Sequence, residues 1–282
     1  MCFKVNLLLP IRDQGMVMMR MSPKLKTFTL GGLFVLGLSA CTSSPTGRSQ
    51  VILFSDSEMS QLGAQSFEQM KQNEKVSNDA KVNAYVTCVA NAITNQVPKQ
   101  SSFDQWEVVV FNSDQVNAFA LPGGKIGVYT GLLKVATNQD QLATVLGHEV
   151  AHVLANHGNE RMSRSQITNT GLQVSDFALA GTEYKEMAMS ALGLGVEYGI
   201  NLPYGRTQET EADIMGIDLM AKAGFNPQQS VQLWKNMAKA SGGNQPPELL
   251  STHPSHSTRI QDLTKEIKHL PQYTTPTPNC QA

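Results

Sequence analysis

The chain has 282 residues, 41% of them hydrophobic, and its 22 Lys and Arg against 23 Asp and Glu leave a formal net charge of -1. That length can bury one sizeable core, or at most two small ones. The balanced charge offers no electrostatic footprint for nucleic acid, so no nucleic-acid partner is expected.

Residues 1–40 do not read as part of the fold. Basic Arg20, Lys24 and Lys26 precede an apolar run from Phe28 to Leu38, too short to span a bilayer and suited to the core of a secretory signal. The run ends in Leu38-Ser39-Ala40-Cys41. Leu38 is not the small residue an ordinary cleavage site prefers, and the tetrapeptide resembles a bacterial lipobox, so removal of 1–40 and lipidation of Cys41 are expected. The alternative is a plain N-terminal anchor with Cys41 free. Acyl chains on Cys41 would hold the chain stably at a membrane. Thr42, where aspartate would signal otherwise, resembles the outer-membrane sorting pattern, so the expected location is the bacterial cell envelope, as an outer-membrane lipoprotein facing the periplasm. Met16, Met18, Met19 and Met21 are alternative starts. Residues 41–54 read as the lipidated N-terminus and a flexible tether of Ser, Thr, Pro and Gly.

A single body is expected over 55–270. Ser55 and Glu58 form a capping box ahead of Met59, Leu62, Phe67 and Met70, and Val82, Tyr85, Val86, Val89 and Ile93 repeat at helical spacing. Trp106 to Phe111 is a strand by its β-branched and aromatic content. Asn117 to Leu121, Pro122-Gly123-Gly124, then Lys125 to Thr130 read as a hairpin with a glycine turn. Such a small antiparallel sheet can pair with an extended peptide along Asn117, Ala118 and Phe119, or only cover the helix that follows.

That helix is the run Gln141 to Ala155, opened by Asn138 with Gln141 three residues on. It holds His148-Glu149-Val150-Ala151-His152. At 3.6 residues per turn the two histidines stand one above the other and can share a zinc ion, leaving Glu149 beside water activated by the metal. Zinc hydrolases take a third protein ligand. His157 lies about 140° round a continuing helix, off the metal face. The metzincin spacing fails as well, because positions 155 and 158 are Ala155 and Gly158. Downstream, Glu209 and Asp213 are four apart on one helix face while Glu211 points elsewhere. One of the two binds the metal and the other accepts the spare N–H of a ligating histidine; the residues alone leave open which.

These motifs together resemble the HtpX and CAAX-prenyl-protease family of gluzincin metallopeptidases, in its stand-alone outer-membrane lipoprotein form. The matching residues are Asn117-Ala118-Phe119 with Pro122-Gly123-Gly124, His148 to His152, Asn156-His157 with Glu160-Arg161, and Arg206 followed by Glu209 to Asp213. The resemblance covers residues 55 to 270 and departs at Gly205, where many members have serine. It implies an α+β, mostly helical, zincin-like catalytic domain, one zinc ion per chain, His148, His152 and Glu209 as ligands, and Asp213 behind them. It also implies an endopeptidase acting on unfolded or misassembled envelope proteins, with outer-membrane assembly factors as candidate partners. Glu149 is the expected general base, and Tyr204 or Arg206 the candidate oxyanion donors. The rival reading is a chaperone-like zinc lipoprotein that binds clients without turnover.

From Ser163 to Tyr204 the chain is apolar but interrupted by Asp176, Glu183, Lys185, Glu186 and Glu197, so it should not span a bilayer. Helical cover over the cleft and a static core element are both open. Asn226-Pro227 starts a helix with Val231, Trp234 and Met237 inward, and Ile260, Leu263, Ile267 and Leu270 mark a last one before a tail over 271–282. His253, held extended by Pro254, is a candidate regulatory ligand at zinc's open position. With Cys2 lost and Cys41 lipidated, Cys88 and Cys280 remain as an even pair for a disulfide in an oxidising compartment.

Overall fold

The structure, a computed structural model, describes residues 41–100, 102–103, 105–240 and 256–281. The chain divides into two compact units at Leu53 and Phe54. In the first, strands β1 (Cys41–Ser43) and β2 (Ser49–Val51) pair antiparallel where a flexible tether was expected. The turn between them closes because Gly47 adopts φ 87° and the Ser44 hydroxyl accepts the Arg48 N–H at 3.2 Å.

The second unit opens with helix α1 (Asp56–Asn73), whose capping box forms as the sequence predicts. The Glu58 N–H donates to the Ser55 hydroxyl at 3.3 Å, and the Ser55 N–H donates back to the Glu58 carboxylate at 2.8 Å. Of the predicted inward face, Met59 and Phe67 are buried but Leu62 is exposed; Gly63 faces inward instead, against the Pro122 carbonyl. Helix α2 (Ala80–Thr94) buries Tyr85, Val86, Val89 and Ile93.

Strands β3 (Glu107–Phe111), β4 (Ala118–Leu121) and β5 (Lys125–Tyr129) form a sheet in the order β3-β5-β4. The hairpin β4-β5 is antiparallel, with Gly123 and Gly124 at φ 86° and 72° in its turn. Strand β3 joins the other side of β5 in parallel, so the sheet is mixed. This leaves β4 at an edge.

Helices α3 (Gln139–Leu154), α4 (His157–Ala178), α5 (Lys185–Val196), α6 (Leu202–Lys222), α7 (Gln228–Ala240) and α8 (His256–Glu266) follow. Helix α3 is central: Leu142, Leu146 and Val150 are fully buried together with Val86 and Ile93 of α2, Ile126 and Val128 of β5, and Met220 of α6. Each such side chain contributes roughly 1.5–3 kcal/mol of burial, so this cluster fixes where α3 lies. A second cluster of Phe67, Phe111, Tyr129 and Phe119 locks α1 to the sheet. Helix α5 buries none of its residues, which sets aside a static core role for it. No helix among the described residues is long and apolar enough to cross a membrane.

The C-terminal tail is fastened at both ends. The Tyr273 hydroxyl donates to Asp218 of α6 at 2.5 Å, and Cys280 is disulfide-bonded to Cys88 of α2.

Candidate metal centre

Helix α3 starts where Asn138 accepts the Gln141 N–H at 2.9 Å, and its periodicity then places His148 and His152 on one side. Their Nε2 atoms are 3.0 Å apart. Helix α6 brings Glu209 against the pair, with Oε2 3.4 Å from His148 Nε2 and Oε1 3.4 Å from His152 Nε2. A tetrahedral zinc with bonds of about 2.0–2.2 Å would separate its ligand atoms by about 3.3–3.6 Å. Both Glu209 distances fall in that range, and the 3.0 Å between the imidazoles is a few tenths of an ångström short of it, a gap that a small turn of either ring closes. These three are the group of His, Cys, Asp and Glu that can hold a metal ion among the described residues.

The approach of α6 to α3 rests on two glycines. A Cβ on Gly147 would stand 2.7 Å from the Gly216 carbonyl oxygen, and one on Gly216 would stand 2.8 Å from the His148 nitrogen. Only glycine at both positions lets the backbones come this close.

Asp213, one turn beyond Glu209, faces the other side of the first imidazole, with Oδ1 2.9 Å from His148 Nδ1. The ambiguity between the two carboxylates is thus resolved in geometry: Glu209 meets both Nε2 atoms and Asp213 meets Nδ1. Burial and the Arg259 charge both push His148 towards neutrality, but its bonds to Asp213 and Glu209 outweigh them and raise it to about 9. In His152 burial wins over Glu209 and lowers it to about 3. Burial pushes the Glu149 carboxyl up, against the pull of His148 and, more weakly, of the Ala120 backbone in β4.

Arg259 was not foreseen. Its guanidinium is buried, donates to Asp213 and to Glu209, and stacks 3.9 Å over the Trp234 ring. The signal was present: Arg259 sits one turn before Leu263 on the inward face of α8, and a buried cation there demands carboxylate partners. Asp213 is correspondingly held below its ordinary value: burial would raise it, and Arg259 and His148 overcome that.

His157 stays off the metal face, as expected, but not because a helix continues past His152. Helix α3 ends at Leu154, Asn156 turns left-handed at φ 54°, and α4 begins at His157, which returns its ring to 2.7 Å from His152. Glu211 does point away from Glu209, and it meets His157 at 3.0 Å.

The remaining candidates spread out. Tyr204 is exposed and lies under the Arg164 guanidinium at 3.6 Å, and a guanidinium that reaches Glu209 is that of Arg259, whereas Arg206 is half-buried one turn before Thr210. Along the proposed substrate strand, Asn117 is exposed just before β4, Ala118 is buried, and Phe119 packs into the aromatic cluster, so its edge can offer main chain to a peptide but not the Phe119 ring. Beside His152 a cleft is lined by Met59, Phe103, Leu121, Pro122, Leu154 and Arg161. His253 lies outside the described residues, as does the side chain of Cys41.

A mostly helical α+β domain with a two-histidine, one-glutamate face beside a small sheet is a zincin-like domain. The family model of peptidase family M48 matches residues 77–267, and the chain belongs to that family. The resemblance read from the motifs holds at this level. Among similar proteins, the mitochondrial metalloendopeptidase OMA1 of Saccharomyces cerevisiae is 36% identical over 168 residues, 57% of this chain and 47% of that protein. OMA1 of Bos taurus is 32% identical over 240 residues, 80% of this chain and 45% of that protein. The beta-barrel assembly-enhancing protease of Escherichia coli is 28% identical over 230 residues, 79% of this chain and 47% of that protein. The chain spans about half the length of the curated relatives it matches.

Proposed function

We propose that the protein is a zinc-dependent endopeptidase. The observation that carries this reading is the convergence of three donors from two helices, within 3.4 Å of one another, beside Glu149, the neighbour of His148. When bound, the metal supplies Lewis acidity that activates water and polarises the scissile carbonyl. Glu149 takes the proton from the attacking water and returns it to the leaving amine, so water is consumed and an acid and an amine are released. The β4 edge holds an extended peptide by main-chain hydrogen bonds. Asp213 and Arg259 keep His148 and Glu209 oriented.

Within the family, the motifs favour the HtpX-like, stand-alone lipoprotein type, anchored through Cys41 and facing the periplasm. A similar protein named a beta-barrel assembly-enhancing protease supports unfolded or misassembled envelope proteins as substrates and assembly factors as partners. The purified full-length chain should bind one zinc and cleave an unfolded test protein. Glu149→Gln should keep the metal and lose about 10²–10⁴-fold in cleavage rate. Undiminished cleavage by that variant would overturn the mechanism. A zinc-loaded wild type that holds unfolded proteins but cuts none would establish the chaperone-like alternative.

A further inference from the structure

His148 and His152 are held in different ways. His148 reaches a carboxylate directly, through Asp213. At the corresponding atom His152 does not: its Nδ1 meets Nδ1 of His157 at 2.7 Å, and His157 Nε2 meets Glu211 Oε2 at 3.0 Å. His157 is fully buried and Glu211 nearly so, and the hydrolytic scheme above uses neither.

The order of protons along this chain follows from what each atom can do. As a carboxylate, Glu211 only accepts, so His157 Nε2 must carry the hydrogen. In that tautomer His157 Nδ1 has a lone pair and accepts, so the donor between the two rings is the Nδ1–H of His152. His152 Nε2 is then left with its lone pair directed at Glu209 and His148, where a metal would sit. The other tautomer of His152 would put a hydrogen into the metal face and set two lone pairs against each other at 2.7 Å. We infer that His157 and Glu211 form a positioning relay that fixes the tautomer and ring orientation of His152 for metal binding. Helix α6 then supplies one donor, Glu209, and the anchors of both histidines: Asp213 directly, and Glu211 through the ring of His157.

The inference rests on reading His152 as a ligand, and the experiment separates the two. Zinc affinity is measured by chelator competition on the full-length chain for the wild type, His152→Ala, His157→Phe, His157→Gln and Glu211→Gln, with thermal melting as a check on folding. His157→Phe fills the volume without an acceptor and should weaken zinc binding by about 10–100-fold, the usual cost of losing an anchor behind a ligand. His157→Gln restores an acceptor, and Glu211→Gln retains its amide oxygen, so both should bind more tightly than His157→Phe. Two-bond proton–nitrogen spectra of the zinc-free, histidine-labelled protein give a readout that a merely structural role would not move. They should show the Nδ1–H form of His152 in the wild type and a mixture of tautomers in His157→Phe. Wild-type affinity in His152→Ala would overturn the ligand reading itself. Weak binding in His152→Ala with wild-type affinity in His157→Phe, or an unchanged His152 tautomer in that variant, would overturn the relay alone. If His157→Phe fails to fold, His157→Leu takes its place as the variant without an acceptor: a mixed tautomer and weakened zinc binding there, beside a wild-type tautomer in His157→Gln, supports the relay, and a wild-type tautomer in both refutes it.

Discussion

Arg259 closes two hydrogen bonds on Asp213, Nε to Oδ2 at 2.6 Å and Nη2 to Oδ1 at 2.7 Å. Asp213 in turn holds His148 at 2.9 Å. Removing one partner of a buried ion pair leaves the other uncompensated, at a cost of about 3–5 kcal/mol. Arg259→Met should therefore destabilise the protein by about that amount in denaturant unfolding and weaken its metal binding. Retention of both would show that Asp213 and Glu209 need no cation.

The glycine contact between α3 and α6 predicts a coupled loss. Gly216→Ala places a Cβ 2.8 Å from the His148 backbone nitrogen, so the helices must part. Overpacking of this kind costs about 1–3 kcal/mol. Because the two helices carry the donors on opposite sides of the metal face, zinc affinity should fall with stability. Gly171→Ala, inside α4 where a Cβ meets nothing within 4 Å, is the control: zinc affinity should stay unchanged and stability should hold or rise by up to about 1 kcal/mol.

The Cys88–Cys280 bridge closes a separation of 192 residues. Cross-links over long loops stabilise chiefly by restricting the unfolded chain, and losing a native one costs about 2–5 kcal/mol. The paired variant Cys88→Ala with Cys280→Ala should melt at a lower temperature than the oxidised wild type. Reducing agent should lower the wild-type melting temperature and leave the paired variant unchanged.

Lys71 and Lys125 both reach Glu107 at 2.8 Å at the start of β3. The bond to Lys125, then that to Lys71, holds the Glu107 carboxyl below its usual range, while the bond to Glu107 holds Lys71 above its own. A depressed carboxyl stabilises the fold above its unfolded value near 4.5 and loses that contribution as pH falls through the folded value. A raised lysine contributes below about 10.5 and loses it as pH rises past that. The Glu107 side chain is 37% exposed, so solvent screening limits the effect to about 1 kcal/mol or less. Stability of Glu107→Gln relative to wild type should be lower at neutral pH, and the gap should narrow once pH falls below the unfolded value of 4.5 and close as it passes the depressed folded one. A gap independent of pH would assign the loss to packing.

Local spacing determined a good part of this protein. The 3.6-residue period put His148 and His152 on one face, Ser55 and Asn138 marked two helix starts, and the glycines after Leu121 marked the hairpin. Each of those features is set within a few residues by backbone geometry. What the tertiary structure decided depends on how distant elements cross. Glu209 and Asp213 share a helix face, and only the approach of α6 at Gly147 and Gly216 gives the metal side to Glu209. His157 reaches His152 because Asn156 takes a left-handed conformation that no periodicity announces. Arg259 is 46 residues from Asp213, and β3 pairs in parallel across a connection that carries β4. Such pairings are chosen by burial and by the need of buried charges for partners, which act through space once the core has formed.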